Sequence, residues 1–296
     1  MNNNTTNKRR KRWGDRPEGR LLRSLDAFYT FIPFIMKDRN DASNYFTDSL
    51  DISAADAYLR QKRDEGLKGV GMLHLFLAAY VRCVAQYPGI NRFVAGQRIY
   101  ARNNIEIAMA VKRKLSIDSG ETTLKVVFEP TDKIEDIFRK MNEEISKIKD
   151  SDEANGVDKV VKVFKKFPRP IFRWAIRFLY WLDYHGMIPK FLLNVSPFHA
   201  SFFITDLGSL GIPPIYHHLY NFGTVPVFLA FGAKHKQSYT KLDGTTEVRR
   251  YIDYTVVTDE RICDGHYYAT AFKHIKHYLR NPHLLDEDVV PVEDVD

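Results

Sequence analysis

The sequence predicts an α/β protein of the α+β, two-layer kind, in which helices cover a mixed β-sheet. Segments with apolar residues at helical spacing are interspersed with segments of strand character, without strict strand–helix alternation. The chain has 296 residues, of which 44% are hydrophobic and 27% charged, and these values are typical of a globular protein. The length fits one large domain or two small ones, with a substantial core in either case.

The first half of the chain predicts two helices. The segment "SAADAYLRQKRDEG" begins with Ser53 at an N-cap position and ends at Gly66, which is typical of a helix C-terminus. The segment "GMLHLFLAAYVRCVAQYPG" follows as an apolar helix, which Pro88 and Gly89 end.

The next segments predict strands and a further helix. "NRFVAGQRIYARNNIEIAMAVKRK" alternates β-branched and polar residues around turn pairs, which favours a hairpin of strands. "ETTLKVVFEP" reads as another strand, and "TDKIEDIFRKMNEEISKIKD" as a helix capped by Thr131. The polar stretch "SDEANGVDK" is predicted to be a loop.

The most apolar stretch is "PIFRWAIRFLYWLDYHGMIPKFLL". It contains Arg173, Arg177, Asp183 and His185, and these polar groups argue against a membrane span. We therefore expect an amphipathic helix that covers the core or lies in a partner's groove, with docking on a membrane surface as the alternative.

The last third of the chain predicts three strands and a helix. "ASFFITDLGSLGI" and "TVPVFLAFGA" are very apolar and are expected to be central strands, and "VRRYIDYTVVTDE" is the third. A tight turn at Asp264 and Gly265 precedes a helix from Tyr267 to Arg280. An acidic tail, "DEDVVPVEDVD", follows.

The charge and the cysteine content limit the function classes. The net charge is +7, and much of the excess lies in "MNNNTTNKRRKR". We interpret this segment as a solvated tail; a weak patch for nucleic acid or an anionic surface is the alternative, too generic to carry a function alone. The start has no apolar stretch typical of a secretory signal. Cys83 and Cys263 are too few for a disulfide framework and lack metal-ligand spacing, so we expect a cytoplasmic protein without a metal.

The stretch "DERICDG", from Asp259 to Gly265, resembles a family motif. Acyltransferases of the chloramphenicol acetyltransferase type carry His-x-x-x-Asp-Gly at such a turn. Catalytic domains of 2-oxo acid dehydrogenase E2 subunits carry Asp-His-Arg-x-x-Asp-Gly-Ala there. In this chain the helix after the turn closes with Asn281 and Pro282.

The resemblance extends upstream over roughly residues 20–285. "SFFITDLGSLGI" and "VPVFLAFGAK" resemble two E2 strands, and "FLAAYVRCVAQYPGINRFVAGQRIYARNNIEIAMAVKR" is similar to the family's helix and hairpin. The resemblance implies one domain with a chloramphenicol acetyltransferase-like fold at 20–285, between a basic disordered tail at 1–19 and an acidic tail at 286–296.

The resemblance implies acyl transfer, but this chain departs from the family at the central position. The family's histidine takes a proton from coenzyme A, from an acceptor hydroxyl or from a dihydrolipoyl thiol, and Glu260 stands in its place. A glutamate at ~4.3 facing a thiol at ~8.5 is short by ~4 pKa units, or about 5.7 kcal/mol. Glu260 could serve as the base only if burial strongly raised its pKa. His266, directly after Gly265, is the alternative base.

Thr205 stands where the E2 strand has a serine, whose hydroxyl donates to the oxyanion of the tetrahedral intermediate. The alternative is a β-branched residue that simply suits a strand. In the family, the turn aspartate pairs with an arginine near the N-terminus. The resemblance therefore implies a buried Arg39–Asp264 ion pair that holds the turn at Gly265.

The remaining candidates are cations and histidines. Lys234 and Lys236 follow the "FGA" strand end and are candidates for the coenzyme A phosphates by position only; exposed structural lysines are the alternative. His217 in "HHLYNFG" only superficially imitates the family motif, so we interpret it as a loop histidine, with a place near the site as the alternative. His199 is interpreted as structural.

We hypothesise an acyltransferase of altered mechanism that uses coenzyme A or another thioester and a small-molecule acceptor. The alternative is a catalytically silent trimeric scaffold, or a relative that binds acyl groups or coenzyme A. The residues before the match are too few for a lipoyl or a subunit-binding domain, so no bound lipoyl group is expected. The resemblance implies a homotrimer, and the sequence makes no strong case for nucleic acid or a membrane.

Overall fold

The structure is a computed structural model that describes residues 10–112, 121–150 and 168–295. Its strands are β1 Gly19–Leu21, β2 Ser43–Asp51, β3 Arg92–Ala95, β4 Arg98–Arg102, β5 Ile105–Lys112, β6 Glu121–Phe128, β7 Phe202–Asp206, β8 Val227–Phe231, β9 His235–Thr240 and β10 Thr246–Asp259. Its α-helices are α1 Ala27–Ile35, α2 Ser53–Asp64, α3 Met72–Gln86, α4 Ile134–Asp150, α5 Arg169–Tyr184, α6 Lys190–Val195 and α7 Gly265–Arg280.

The strands form two sheets. The larger one has seven strands in the order β2-β10-β8-β7-β5-β6, with β9 paired to the first part of β10. Strand β7 runs parallel to β5 and β8, and the other neighbours are antiparallel, so the sheet is mixed. A smaller sheet has the order β1-β4-β3. The predicted class, a mixed sheet covered by helices, is confirmed.

The main core lies between one face of the large sheet and helices α2, α3, α4 and α7. Aromatic rings dominate it: Tyr80 stacks on Phe202 with centroids 4.1 Å apart, and Phe76 stacks on Phe231 at 4.9 Å. Burying a side chain of this kind contributes about 1.5–3 kcal/mol to folding. The helices predicted from apolar spacing therefore supply one side of the molecule's core.

The opposite face of the sheet carries a second, smaller cluster. Side chains alternate along a strand, so Phe203 and Phe228 point away from the main core. Their rings stack at 4.7 Å, and Val257 and Leu219 pack with them. The chain between β7 and β8 covers this face and shapes the candidate site described below.

The sequence predicted most elements near the site correctly. The three strands predicted from apolar segments are β7, β8 and β10, and the first two are central in the sheet. Strand β2 was not predicted, because it lies at the sheet edge and carries polar residues, as edge strands often do. The loop predicted at 151–159 lies outside the described residues.

Two predicted helix caps are wrong. Ser53 is the first residue of α2 rather than its cap; Ile52 takes the cap position, and the Ser53 hydroxyl donates to Asp51. Helix α4 begins at Ile134 rather than next to Thr131, because a turn closed by the Asp132 amide and the Glu129 carbonyl precedes it.

The packed domain extends beyond the predicted limits of 20–285. Arg16 is buried and its guanidinium lies 2.9 Å from Asp183, so the segment before residue 20 is not wholly a disordered tail. At the other end, Asp294 accepts hydrogen bonds from the buried Arg92 at 2.5 and 2.7 Å. The first nine residues of the basic segment lie outside the described residues.

The apolar stretch forms α5 and α6, and it is largely exposed in the single chain. Its exposed aromatic side chains include Trp174, Phe178 and Trp181, whose rings stack along α5. Within the described ranges, every helix is too short or too polar to cross a bilayer.

Candidate active site

The turn at residues 259–265 is held by a buried ion cluster. Asp259 is fully buried and accepts hydrogen bonds from Arg39 Nε at 3.2 Å and from Arg261 Nη2 at 2.7 Å. Burial lowers the pKa of Arg39, and the charge of Asp259 opposes that shift. Backbone carbonyls accept the other guanidinium hydrogens, among them that of Tyr220 from Arg39 and that of Met36 from Arg261. The cluster fixes the end of β10.

The predicted Arg39–Asp264 ion pair is wrong. Asp264 is exposed and caps helix α7, where it accepts the Tyr267 amide at 2.8 Å and the Tyr29 hydroxyl at 3.2 Å. The Tyr267 amide lowers the pKa of Asp264. The physical reason is position: Asp259 is the last residue of β10 and points inward, whereas Asp264 immediately precedes a helix and satisfies its free amides.

Glu260 lies on the outside of this turn in the single chain. Its Oε2 accepts a hydrogen bond from Asn44 Nδ2 at 2.7 Å, and its backbone amide donates to Ala42. His266 is exposed in the first turn of α7. A Cβ built on Gly265 would meet no described atom within 4 Å, so the single chain gives no steric reason for glycine there. In the single chain Glu260 is half-buried, and Gly265 and His266 are exposed.

Cys263, also in the turn, is buried, and burial raises the pKa of its thiol. A buried thiol of this kind is a poor nucleophile. Among the described residues, no group of three or more histidine, cysteine or acidic side chains is arranged to hold a metal ion.

The register of the sheet keeps Glu260 away from Thr205 within one chain. Thr205 is paired with Ala230, which is paired in turn with Thr255. Glu260 lies five residues beyond Thr255, a distance of ~17 Å along the strand direction. Strand β10 is also two strands away from β7, which adds a sideways separation of two spacings of ~5 Å each. The two predicted catalytic residues are therefore not brought together by a single chain.

Thr205 instead opens onto a cleft of about 540 Å³ at the end of β7, with walls from both faces of the sheet. It is half-buried near the end of β7. The lining is mainly apolar and includes Leu73, Met109, Val111, Met141, Ile145, Phe198, Phe203, Leu207 and Phe228. Its polar side chains include Thr123, Thr205, Asp206, Ser209, His217 and Tyr220. Small-molecule sites typically have this size and this balance of groups.

The wall of the cleft is the chain between β7 and β8. A Cβ at Gly208 would lie 2.6 Å from the carbonyl oxygen of Gly232, so this close approach requires glycine. Further along, the Thr255 hydroxyl donates to the Ile215 carbonyl at 2.5 Å. These contacts hold the segment that carries His217 over the sheet.

His217 lines the same cleft as Thr205. Its ring stacks on Phe228 with centroids 4.0 Å apart and an interplanar angle of 5°. Its Nδ1 lies 2.8 Å from the carbonyl oxygen of His218, which can only accept, so Nδ1 carries the hydrogen and Nε2 has a free lone pair. Burial lowers the pKa of His217, and the ring is therefore neutral at pH 7.

His217, interpreted from the sequence as a loop histidine with a place near the site as the alternative, lies between β7 and β8 and lines the cleft. The signal available in the sequence was the position of His217 between two segments that were predicted to be central strands. The predicted structural character of His199 fits its surroundings: it is buried, with Nδ1 2.8 Å from Ser196 and Nε2 3.3 Å from Asp183.

The two predicted phosphate-binding lysines differ in their surroundings. Lys234 forms an ion pair with Asp56 at 2.6 Å, and its charge acts on Asp206, which lines the cleft. Burial raises the pKa of Asp206, and the Ser209 amide and the charge of Lys234 partly offset this rise. Lys236 is exposed on β9. Of the two lysines, Lys234 is therefore the one whose charge affects a residue of the cleft.

Comparisons with known proteins agree with this architecture. Residues 198–286 match the model of the family described as 2-oxoacid dehydrogenases acyltransferase (catalytic domain). That segment contains Thr205, the wall of the cleft and the turn. Comparison with curated proteins gave no match.

Solved structures share the fold at low sequence identity. A probable dihydrolipoamide acetyltransferase from Listeria monocytogenes 4b F2365 has a TM-score of 0.54 at 15% identity, covering 89% of this chain and 95% of that one. A truncated catalytic core of the 2-oxoacid dehydrogenase multienzyme complex from Thermoplasma acidophilum has a TM-score of 0.52 at 14% identity, covering 89% and 99%. A chloramphenicol acetyltransferase has a TM-score of 0.52 at 12% identity, covering 88% and 99%. The predicted resemblance and the chloramphenicol acetyltransferase-like fold are confirmed.

Proposed function

We propose that this protein is an acyltransferase that moves an acyl group from coenzyme A to a small-molecule acceptor. One observation carries the proposal: the segment that matches the acyltransferase family contributes one side of an apolar cleft with a hydroxyl, Thr205, on its wall. A cleft of this composition suits the acyl group of a thioester, and a hydroxyl beside it suits the oxygen that becomes charged.

In the proposed reaction, the acceptor's nucleophilic atom attacks the thioester carbonyl carbon. The carbonyl oxygen becomes an oxyanion in the tetrahedral intermediate, and the Thr205 hydroxyl donates a hydrogen bond to it. The intermediate then collapses and releases the thiol of coenzyme A. A single preorganised donor of this kind typically contributes ~10²–10³ to kcat.

Lys234 is the proposed contact for a phosphate of coenzyme A, with Lys236 as a more distant candidate. Lys234 follows strand β8, and its charge partly offsets the rise that burial causes in the pKa of Asp206, which lines the cleft. Lys234 would have to exchange its ion pair with Asp56 for the phosphate, and Asp56 would keep its ion pair with Arg250 at 2.7 Å.

We further propose that the protein assembles as a homotrimer. Exposed aromatic side chains on α1 and α5 support an interface, because monomeric proteins rarely leave such groups together in water. The separation of Glu260 from Thr205 within one chain also fits an arrangement in which each faces a neighbouring subunit. Light scattering at micromolar concentration should give a trimer, and a monomer would contradict this arrangement.

The cellular location proposed for this enzyme is the cytoplasm, supported by Cys83 and Cys263, which are both free and buried. A negative assay would favour the alternative, a catalytically silent trimeric scaffold.

The function is tested by screening the purified protein with acyl-CoAs of increasing chain length, with and without candidate acceptors, for release of free thiol. We expect acceptor-dependent thiol release with at least one apolar acyl donor. Absence of thiol release with every donor, from a protein that is folded by circular dichroism, would contradict the proposed function.

A further inference from the structure

We propose that His217 is the general base of this acyl transfer, and that the cleft it shares with Thr205 binds the apolar part of the acyl group. This inference rests on the proposed function and assigns its base and its acyl class. The turn at residues 259–265 then serves to hold the chain rather than to move the proton.

The side chains of Thr205 and His217 lie on the same face of the sheet. Thr205 is two residues beyond Phe203, so both point to the same side. Phe203 is paired with Phe228, whose ring lies under the ring of His217. Two residues along a strand span ~7 Å. A thioester carbonyl between Thr205 and His217 can therefore contact both.

A hydrogen bond and a ring stack fix the tautomer and the orientation of the His217 ring. The His218 carbonyl holds the Nδ1 hydrogen of His217, and this fixes the tautomer with a lone pair on Nε2. The stack on Phe228 fixes the plane of the ring. A base that is neutral, oriented and next to a substrate cleft meets the geometric requirements of proton abstraction.

The groups around His217 favour its neutral form. The titratable and charged neighbours are His218, which stacks on it at 4.6 Å, with Tyr220 and Asp206 on the cleft wall. Burial and the charge of His218 both lower the pKa of His217. Within the described ranges no carboxylate forms an ion pair with His217, so the His218 carbonyl and the stack on Phe228 orient its ring.

In the proposed reaction, His217 accepts one proton and later returns it. His217 Nε2 takes the proton from the acceptor's O–H or S–H group as that atom forms a bond to the thioester carbonyl carbon. The carbon–sulfur bond then breaks, and the protonated His217 returns the proton to the departing sulfur of coenzyme A. No oxidant, reductant or metal enters the step.

The lining of the cleft indicates the acyl class. Met109 and Met141, which are unbranched and flexible, line it together with the branched Ile145, and no lysine or arginine is among its lining residues in the described ranges. We expect an acyl group with an extended apolar part to be preferred over acetyl, because each buried CH₂ strengthens binding about fourfold.

The experiment compares kcat/KM in wild type, His217→Gln, His217→Phe and the control His283→Gln, which changes an exposed histidine outside the cleft. We expect both His217 variants to lose about 10²–10⁴-fold, and the control to keep wild-type activity. In wild type, log kcat/KM should rise with pH through a midpoint below ~6.5, and this limb should vanish in His217→Gln.

His217→Phe keeps an aromatic ring on Phe228, so an unchanged Tm in that variant separates lost catalysis from lost packing. Wild-type rates in both His217 variants would overturn this inference and leave the proposed function intact. A wild type without transfer from any acyl-CoA would overturn both. Loss of activity without loss of the acid limb would show that His217 is not the base.

Discussion

The turn at residues 259–265 and the cleft beside Thr205 lie in different parts of the same sheet and are built from different chemistry. The turn is a charged structure: one buried carboxylate, Asp259, pairs with two buried guanidinium groups, and Asp264 is exposed. The cleft is apolar and contains a neutral histidine and a hydroxyl.

The difference teaches that a motif and a site need not coincide. The turn carries the sequence signature of the family, yet its side chains are used to hold helix α7 and strand β10 in place. The cleft has the volume and the apolar wall that an acyl group needs, and it contains the base that we propose.

The largest effect on stability is expected at Asp259. Asp259→Ala leaves Arg39 and Arg261 buried without their counter-ion, and breaking a buried pair typically costs ~3–5 kcal/mol. Chemical denaturation measures this loss. Asp264→Ala is the matched control at the exposed aspartate of the same turn, and an equal loss in both variants would contradict the assignment of the ion cluster.

The largest effect on catalysis outside His217 is expected at Thr205. Thr205→Val keeps the shape of the side chain and removes the donor, so kcat should fall ~10²–10³-fold with little change in Tm. Thr205→Ser retains the hydroxyl and should retain most of the activity. Equal activity in the valine and serine variants would show that the hydroxyl contacts no reacting atom.

A smaller effect is expected at the helix cap. Asp264→Ala removes the acceptor for the Tyr267 amide and should cost about 1 kcal/mol of unfolding free energy. Asp264→Asn retains the acceptor oxygen and should cost less. The lowered pKa of Asp264 gives the sign with pH: its contribution is present above the unfolded value of ~3.9 and is lost as pH falls below it.

The smallest effect is the pH dependence that His217 adds to stability. Burial lowers the pKa of His217, so the unfolded chain binds this proton more readily than the folded one. The contribution to stability is present above pH ~6.5 and decreases as the pH falls towards the folded value. Denaturation at pH 7 and pH 5 should show a smaller decrease in His217→Phe than in wild type.

The sequence predicted the framework of the fold but only part of the site. Strands β7 and β8 were predictable because buried central strands are continuous apolar runs. Strand β2 was not, because its polar residues suit an edge and resemble a loop.

The site residues show a further limit of sequence reasoning. Which acidic residue pairs with Arg39 depended on the inward direction of Asp259 at the end of β10, and motif similarity favoured Asp264 instead. His217 could not be assigned because its contact with Phe228 joins a loop to a strand. Contacts of this kind depend on the register of β7 and β8, which a pattern of residues does not specify.

The central claim is that the chemistry lies in the cleft and not at the turn, and acyl transfer by Glu260→Gln tests it most directly. This variant keeps the shape of the side chain and cannot accept a proton. We predict kcat/KM within a few-fold of wild type and an unchanged pH profile. A loss of ~10² or more with an intact trimer and an unchanged Tm would place the base at Glu260 and contradict the claim.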